Sequence, residues 1–269
     1  MKDLNYKICF LVFVFVLIAN TLNAQEQELY KESFFIKNND TLKYRIMYPK
    51  DFSEEKQYPI VLFLHGAGER NSDNKSQLVH GSKLFSEEQN RISFPSIVIF
   101  PQCPKNDYWA NATVDRSTKP LTLKFPLDIP PTKSLQLVMQ LMTEYISKPF
   151  VKKEQIYVGG LSMGGMGTFE ILSRKPEMFA AAFAICGAGN PESTKSYATK
   201  TDLWVFHGAK DDVVNPQYSL DMVKGILKYG GKPNLSLFAD DNHNSWDSAF
   251  TEPNLLPWLF SKSKQIKNE

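Results

Sequence analysis

Cysteine is scarce in this 269-residue sequence: Cys9, Cys103 and Cys186 are the only three. Three cysteines cannot build a disulfide scaffold. An excess of either charge is also missing, since 31 Lys and Arg face 29 Asp and Glu for a net charge of +2. With no basic stripe or run, nucleic acid has no electrostatic footprint here. Long apolar runs are confined to one place near the N-terminus. Gly-x-Gly-x-x-Gly, the P-loop, His-Glu-x-x-His and Cys-x-x-Cys do not occur. Their absence leaves no nucleotide cradle and, once the four histidines are assigned, no ligand set for a catalytic metal. No cofactor is expected. Composition is otherwise that of a globular chain, 42% hydrophobic and 22% charged, which excludes disordered, collagen-like and coiled-coil classes.

The single apolar run is Ile8 to Ala19, preceded by Lys2 and Lys7 and followed by Asn23-Ala24. A basic start, a short apolar stretch and a closing Ala read as a secretory signal peptide over residues 1–24. The run falls short of the roughly 20 residues a membrane span needs. The expectation is export, to the periplasm or outside the cell, with no stable membrane anchor after cleavage. Residues 25–269 then form a single α/β domain. Cys103 and Cys186 sit at the ends of strands several positions apart in the sheet, too far for one bond, and read as half-buried free thiols.

Short apolar, β-branched runs recur through the rest: Ile60–Leu64, Ile97–Phe100, Ile156–Val158, Ala181–Cys186, Leu203–Phe206 and Leu235–Phe238. They are nearly continuous rather than alternating, the mark of parallel strands buried on both faces. Between them, Leu135, Val138, Met139, Met142 and Ile146 share one helical face, and Tyr218, Met222, Ile226 and Tyr229 another. The alternation predicts an α/β fold: a mostly parallel sheet with helices on both faces. Polar-alternating strands around Ser33–Lys37 and Leu42–Tyr48 predict an antiparallel N-terminal hairpin. The stretch Asn106–Pro131, which holds four Pro and Trp109, reads as one long functional loop.

Gly160-Leu161-Ser162-Met163-Gly164 follows the strand Ile156–Val158 and precedes a helix beginning at Met163. Gly-x-Ser-x-Gly in that setting is a nucleophile elbow, which lifts a serine above the sheet and aims a helix N-terminus at an oxyanion. A serine hydroxyl needs a base, and the base an orienting acid. In such folds the order is Ser, then Asp or Glu, then His. His65 and His80 precede Ser162, and His207 has no acidic loop between it and the serine. His243 remains. Asp211 and Asp212 both qualify as the acid by position, with Asp240 and Asp241 weaker because they crowd the loop of His243. His65 and His207 read as strand-end histidines that hydrogen-bond their loops. Trp109 and Trp246 are candidates to line a pocket for an acyl group or sugar.

The segments Leu64-His65-Gly66-Ala67-Gly68-Glu69, Gly160 to Gly165, His207-Gly208-Ala209-Lys210-Asp211 and His243-Asn244-Ser245-Trp246 together resemble the α/β-hydrolase superfamily. Within it they are most similar to secreted esterases related to phospholipase/carboxylesterases, dienelactone hydrolases and polyhydroxybutyrate depolymerase-like feruloyl and acetylxylan esterases. The resemblance spans about Tyr58 to Trp258. It implies the α/β-hydrolase fold, Asp211 as the acid, and the backbone N–H groups of Ala67 and Met163 as the oxyanion hole. It implies a serine carboxylic ester hydrolase acting through an acyl-enzyme, on small-molecule or polysaccharide esters. Feruloyl or acetyl groups on polysaccharides are the preferred substrates, with small or lipid esters next. A prolyl-oligopeptidase-like peptidase and a binding protein on an inactive scaffold are the remaining classes.

Overall fold

A computed structural model describes residues 28–264. The expected leader, residues 1–24, lies outside the described residues. The chain runs β1 (Lys31–Lys37), β2 (Asp40–Met47), β3 (Tyr58–Leu64), α1 (Ser82–Ser86), α2 (Glu88–Ser93), β4 (Ile97–Pro101), β5 (Thr113–Asp115), β6 (Thr122–Lys124) and α3 (Lys133–Ile146). It continues through β7 (Val151–Leu161), α4 (Met163–Arg174), β8 (Ala181–Ile185), β9 (Asp202–Gly208), α5 (Gln217–Lys228), β10 (Asn234–Phe238), α6 (Trp246–Phe250) and α7 (Leu255–Phe260).

Eight strands form one sheet in the order β1-β2-β4-β3-β7-β8-β9-β10. β1 pairs antiparallel with β2, and β2 antiparallel with β4; the other neighbours are parallel. The expected N-terminal hairpin is therefore present. Its two-residue loop is Asn38-Asn39, both with positive φ (50° and 67°), which matches the twist that tight hairpins require.

Alternate strand residues enter different layers, as a period of two dictates. Ile60, Leu62 and Leu64 of β3 join the core with Leu135 and Val138 of α3, Phe169 of α4 and Met222 of α5. Val61 and Phe63 join the opposite layer with Phe85 of α1, Ala249 of α6 and Leu255 and Leu259 of α7. Helices thus cover both faces, and β4, β8 and the second half of β7 from Ile156 are apolar and buried throughout.

Two elements differ from expectation. β10 is not buried on both faces: it closes the sheet as an edge strand, and Leu235 and Leu237 are exposed. Asn106–Pro131 is not one irregular loop, because Thr113–Asp115 and Thr122–Lys124 pair as a small antiparallel hairpin. That hairpin docks on the loop after β9 and the first turn of α5: Leu121 N–H donates to Val213 O (2.8 Å) in the loop and Leu123 N–H to Tyr218 Oη (2.9 Å) on the helix. Cys103 and Cys186 are unbonded thiols, fully rather than half buried. Among the described residues no helix is long and apolar enough to cross a membrane.

Candidate active site

The turn between β7 and α4 is a single residue, Ser162, with φ 51° and ψ −116°. A non-glycine residue there carries strain of roughly 1–3 kcal/mol, sustained only when its surroundings over-determine it. They do so here by close backbone approach. A Cβ on Gly160 would collide with the Gly164 carbonyl, and one on Gly164 with the carbonyl oxygen of Leu64. Ser162 N–H donates to Ile185 O (2.8 Å) and Ser162 O accepts from Met166 N–H (3.0 Å). The serine is thereby held between the C-terminal ends of β3 and β8, at the crevice end of the parallel sheet.

His243 lies in the loop after β10, with Nε2 3.0 Å from Ser162 Oγ and Nδ1 2.8 Å from Asp211 Oδ2. Asp211 belongs to the loop after β9, and its side chain is wholly inaccessible. Oδ1 accepts from the N–H groups of Val213 and Val214, both at 2.9 Å. Oδ2 takes a second donor, since His207 Nε2 lies 3.1 Å away and also 2.9 Å from Val214 O. Burial would push this carboxyl up, but the hydrogen bonds from His207 and His243 outweigh it and hold the group well below the usual carboxylate range. The imidazole of His243 therefore faces a carboxylate. Asp212 is exposed, and Asp240 is on the surface in an ion pair with Lys210 (2.6 Å).

The opposite wall comes from the loop after β3. Met163 opens α4 and Ala67 opens a 3-10 turn, Ala67–Glu69, so neither N–H has an acceptor inside its own helix. His65 fixes this loop from below. Nδ1–H donates to Gly66 O (2.7 Å), and Nε2 accepts from Cys103 N–H (3.0 Å). Burial, chiefly, pulls the His65 pKa down to about 4 and keeps the ring neutral.

Trp109 does not reach a cleft, contrary to the expected acyl or sugar contact. It is the largest of the fully buried side chains, its Nε1–H donates to His65 O (3.0 Å), and its Cβ lies where a side chain on Gly167 would be. An indole with its one donor satisfied internally packs the loop down. Trp246 is at the site: its ring stands edge-on to His243 (centroids 5.5 Å) and tilted against His80 (5.1 Å). His80, with Nε2 3.8 Å from Glu69 Oε1, extends this wall. Nothing local in the sequence marks His80; only the fold brings it beside the loop of His243.

A helix-flanked, mostly parallel sheet with a serine elbow at its crevice end defines an α/β-hydrolase. The model of the phospholipase/carboxylesterase family matches residues 51–252, and the chain belongs to that family. A bifunctional acetylxylan esterase/xylanase of Neocallimastix patriciarum is 33% identical over 101 residues, covering 38% of this chain and 14% of that protein. The chain thus spans a small part of that relative's length. The crystal structure of a thermostable esterase superposes with a TM-score of 0.77 at 30% identity, covering 88% of this chain and 64% of that one. A ferulic acid esterase structure shares the fold at 18% identity, with a TM-score of 0.66 over 86% of this chain and 98% of that one. Beyond the family, the chain is similar in sequence and fold to these esterases.

Proposed function

We propose that the protein is an exported serine esterase in which Ser162, His243 and Asp211 form an acyl-enzyme with carboxylic esters. The observation that carries the reading is the continuous chain Asp211 Oδ2 to His243 Nδ1 (2.8 Å) and His243 Nε2 to Ser162 Oγ (3.0 Å). With Nδ1–H donating to the carboxylate, Nε2 is free to take the serine proton as Oγ attacks the ester carbonyl. The imidazolium so formed faces the negative Asp211. The N–H groups of Ala67 and Met163 hold the oxyanion, and the dipole of α4 adds to them. His243 then returns its proton to the leaving alcohol. A water molecule, deprotonated by the same Nε2, releases the acid.

For the substrate, we take acyl groups on polysaccharides, acetyl or feruloyl. Trp246 and His80 offer flat faces beside His243, suited to a sugar or a phenolic ring. The relation to acetylxylan and ferulic acid esterases supports the same choice. The family match to phospholipase/carboxylesterases favours small or lipid esters as the second reading. A panel of p-nitrophenyl acyl esters, feruloyl esters, acetylated xylan and lysophospholipid separates the two. In the same assays Ser162→Ala is expected to lose on the order of 10⁴–10⁶ in kcat while keeping the wild-type melting temperature.

A further inference from the structure

Cys186 follows the last residue of β8 and is fully buried, with φ 41°. Its N–H donates to Phe206 O (2.8 Å), which ties it to β9 just below the Asp211 loop. The Cys186 Sγ, an Asp211 carboxylate oxygen and a ring nitrogen of His243 all lie within 4.8 Å of one another. A second feature points into the same spot. Ser245 Oγ is completely buried and faces this thiol, and it has no other hydrogen-bond partner among the described residues. Sequence alone suggested no metal ligand set, because Cys186 and His243 come from different loops and meet only in the fold.

The structure assigns a binding site for a zinc-type divalent cation to Cys186, Asp211 and His243, and we infer that an ion held there switches the esterase off. Thiolate, imidazole and carboxylate are the donors that zinc takes in tetrahedral sites, and the thiolate selects it over magnesium or calcium. Ligand atoms around tetrahedral zinc stand roughly 3.5 Å apart, so His243 Nδ1 and Asp211 Oδ2, now 2.8 Å from each other, would part slightly to admit the ion, with the Cys186 thiol within 4.8 Å of both residues' ligand atoms.

The protons balance as follows. The Cys186 thiol releases its proton to solvent and binds as thiolate. The ion replaces the hydrogen between His243 Nδ1 and Asp211 Oδ2, and the single proton of the neutral ring relocates to Nε2. That nitrogen then carries a proton where it must accept one from Ser162, so attack on the ester stops. No bond to Ser162 is needed. The inhibitory half of this inference rests on the esterase reading; the coordination does not.

The test uses the full chain, with Zn²⁺ titrated into p-nitrophenyl acetate hydrolysis and Cd²⁺ used to read thiolate-to-metal charge-transfer absorption. Zn²⁺ is expected to inhibit, EDTA to restore activity, and Mg²⁺ to do nothing. Partners in a metal ligand's outer shell are commonly worth about 10–100-fold in affinity, so Cys186→Ala is expected to weaken inhibition by more than about 10-fold. Basal turnover of that variant should match wild type. The Cd²⁺ absorption should appear in wild type, Cys103→Ala and Ser162→Ala alike. Equal Zn²⁺ inhibition of Cys186→Ala and wild type, or an absorption that vanishes with Cys103, overturns the site. Should Cys186→Ala not fold, the spectra of Cys9→Ala and Cys103→Ala decide: absorption that survives the loss of each leaves Cys186 as its thiolate, and absorption lost with either overturns the site. An inactive wild type that shows the absorption sinks the esterase reading and leaves the cation site standing, whereas an active chain without it does the reverse.

Discussion

Asp211 collects four hydrogen bonds on two oxygens: two backbone N–H groups on one, His243 and His207 on the other. Each donor favours the ionised form, which is why burial does not neutralise it. Asn at this position cannot oppose an imidazolium or fix its tautomer, so Asp211→Asn is expected to lose about 10⁴ in kcat. Asp212 is exposed, and Asp212→Asn should stay within a few-fold of wild type. The reverse ranking in steady-state kinetics would move the acid to Asp212. His207 is the buried prop of this carboxylate, and its Nδ1 lies 2.7 Å from Ser219 Oγ at the start of α5. His207→Gln retains an N–H donor and His207→Leu does not. The Gln variant is therefore expected to keep more of the wild-type kcat, with KM alike in both; equal kcat values would contradict the prop. Position along the chain left Asp211 and Asp212 as alternatives, and only the resemblance separated them. The physical distinction, which carboxyl turns inward, depends on how the loop lies over His207.

Among the elements, the strand-turn-helix from β7 to α4 was the most legible. Its glycines, serine and flanking apolar runs are contiguous, and the backbone collisions that Gly160 and Gly164 avoid are local or lie at the end of the neighbouring strand β3, at Leu64 and His65. Trp109 was misread for the opposite reason. Its hydrogen bond goes to His65 and its packing to Gly167, partners remote in sequence, so a loop tryptophan looks alike whether it faces a cleft or the core. The hairpin β5–β6 escaped because three-residue strands leave no periodicity to read. The Trp109→Ala variant is consequently expected to lose about 3–5 kcal/mol of stability, as large core truncations do. Its KM should change by the same factor for p-nitrophenyl acetate and for acetylated xylan. A selective rise in KM on the polymer, with an unchanged melting temperature, would return Trp109 to substrate binding.

On the scale of the whole molecule, His65 couples the β3 loop to global stability through pH. Its folded pKa of about 4 lies below the ordinary histidine value of 6.5. The native state thus excludes a proton that the unfolded chain binds between these values. Its contribution, about 3 kcal/mol, is complete above pH 6.5 and drains away as pH falls towards 4. His65→Gln keeps an acceptor for Cys103 N–H without the titration. Melting curves across that window should show wild type losing ground to the variant, and parallel curves would refute the assignment. Chemistry throughout is assigned to the chain's own serine, imidazole, carboxylate and amides, so dialysis against EDTA should leave ester hydrolysis undiminished. A loss restored by added metal would contradict that.

The central claim is that Ser162 is made nucleophilic by His243 and Asp211. It is tested most directly by treating the protein with a fluorophosphonate and locating the adduct by mass spectrometry. The account predicts one adduct per chain, on Ser162, absent in Ser162→Ala and slowed by orders of magnitude in His243→Ala. A folded wild-type chain that stays unlabelled, or carries its adduct on another residue, would contradict it.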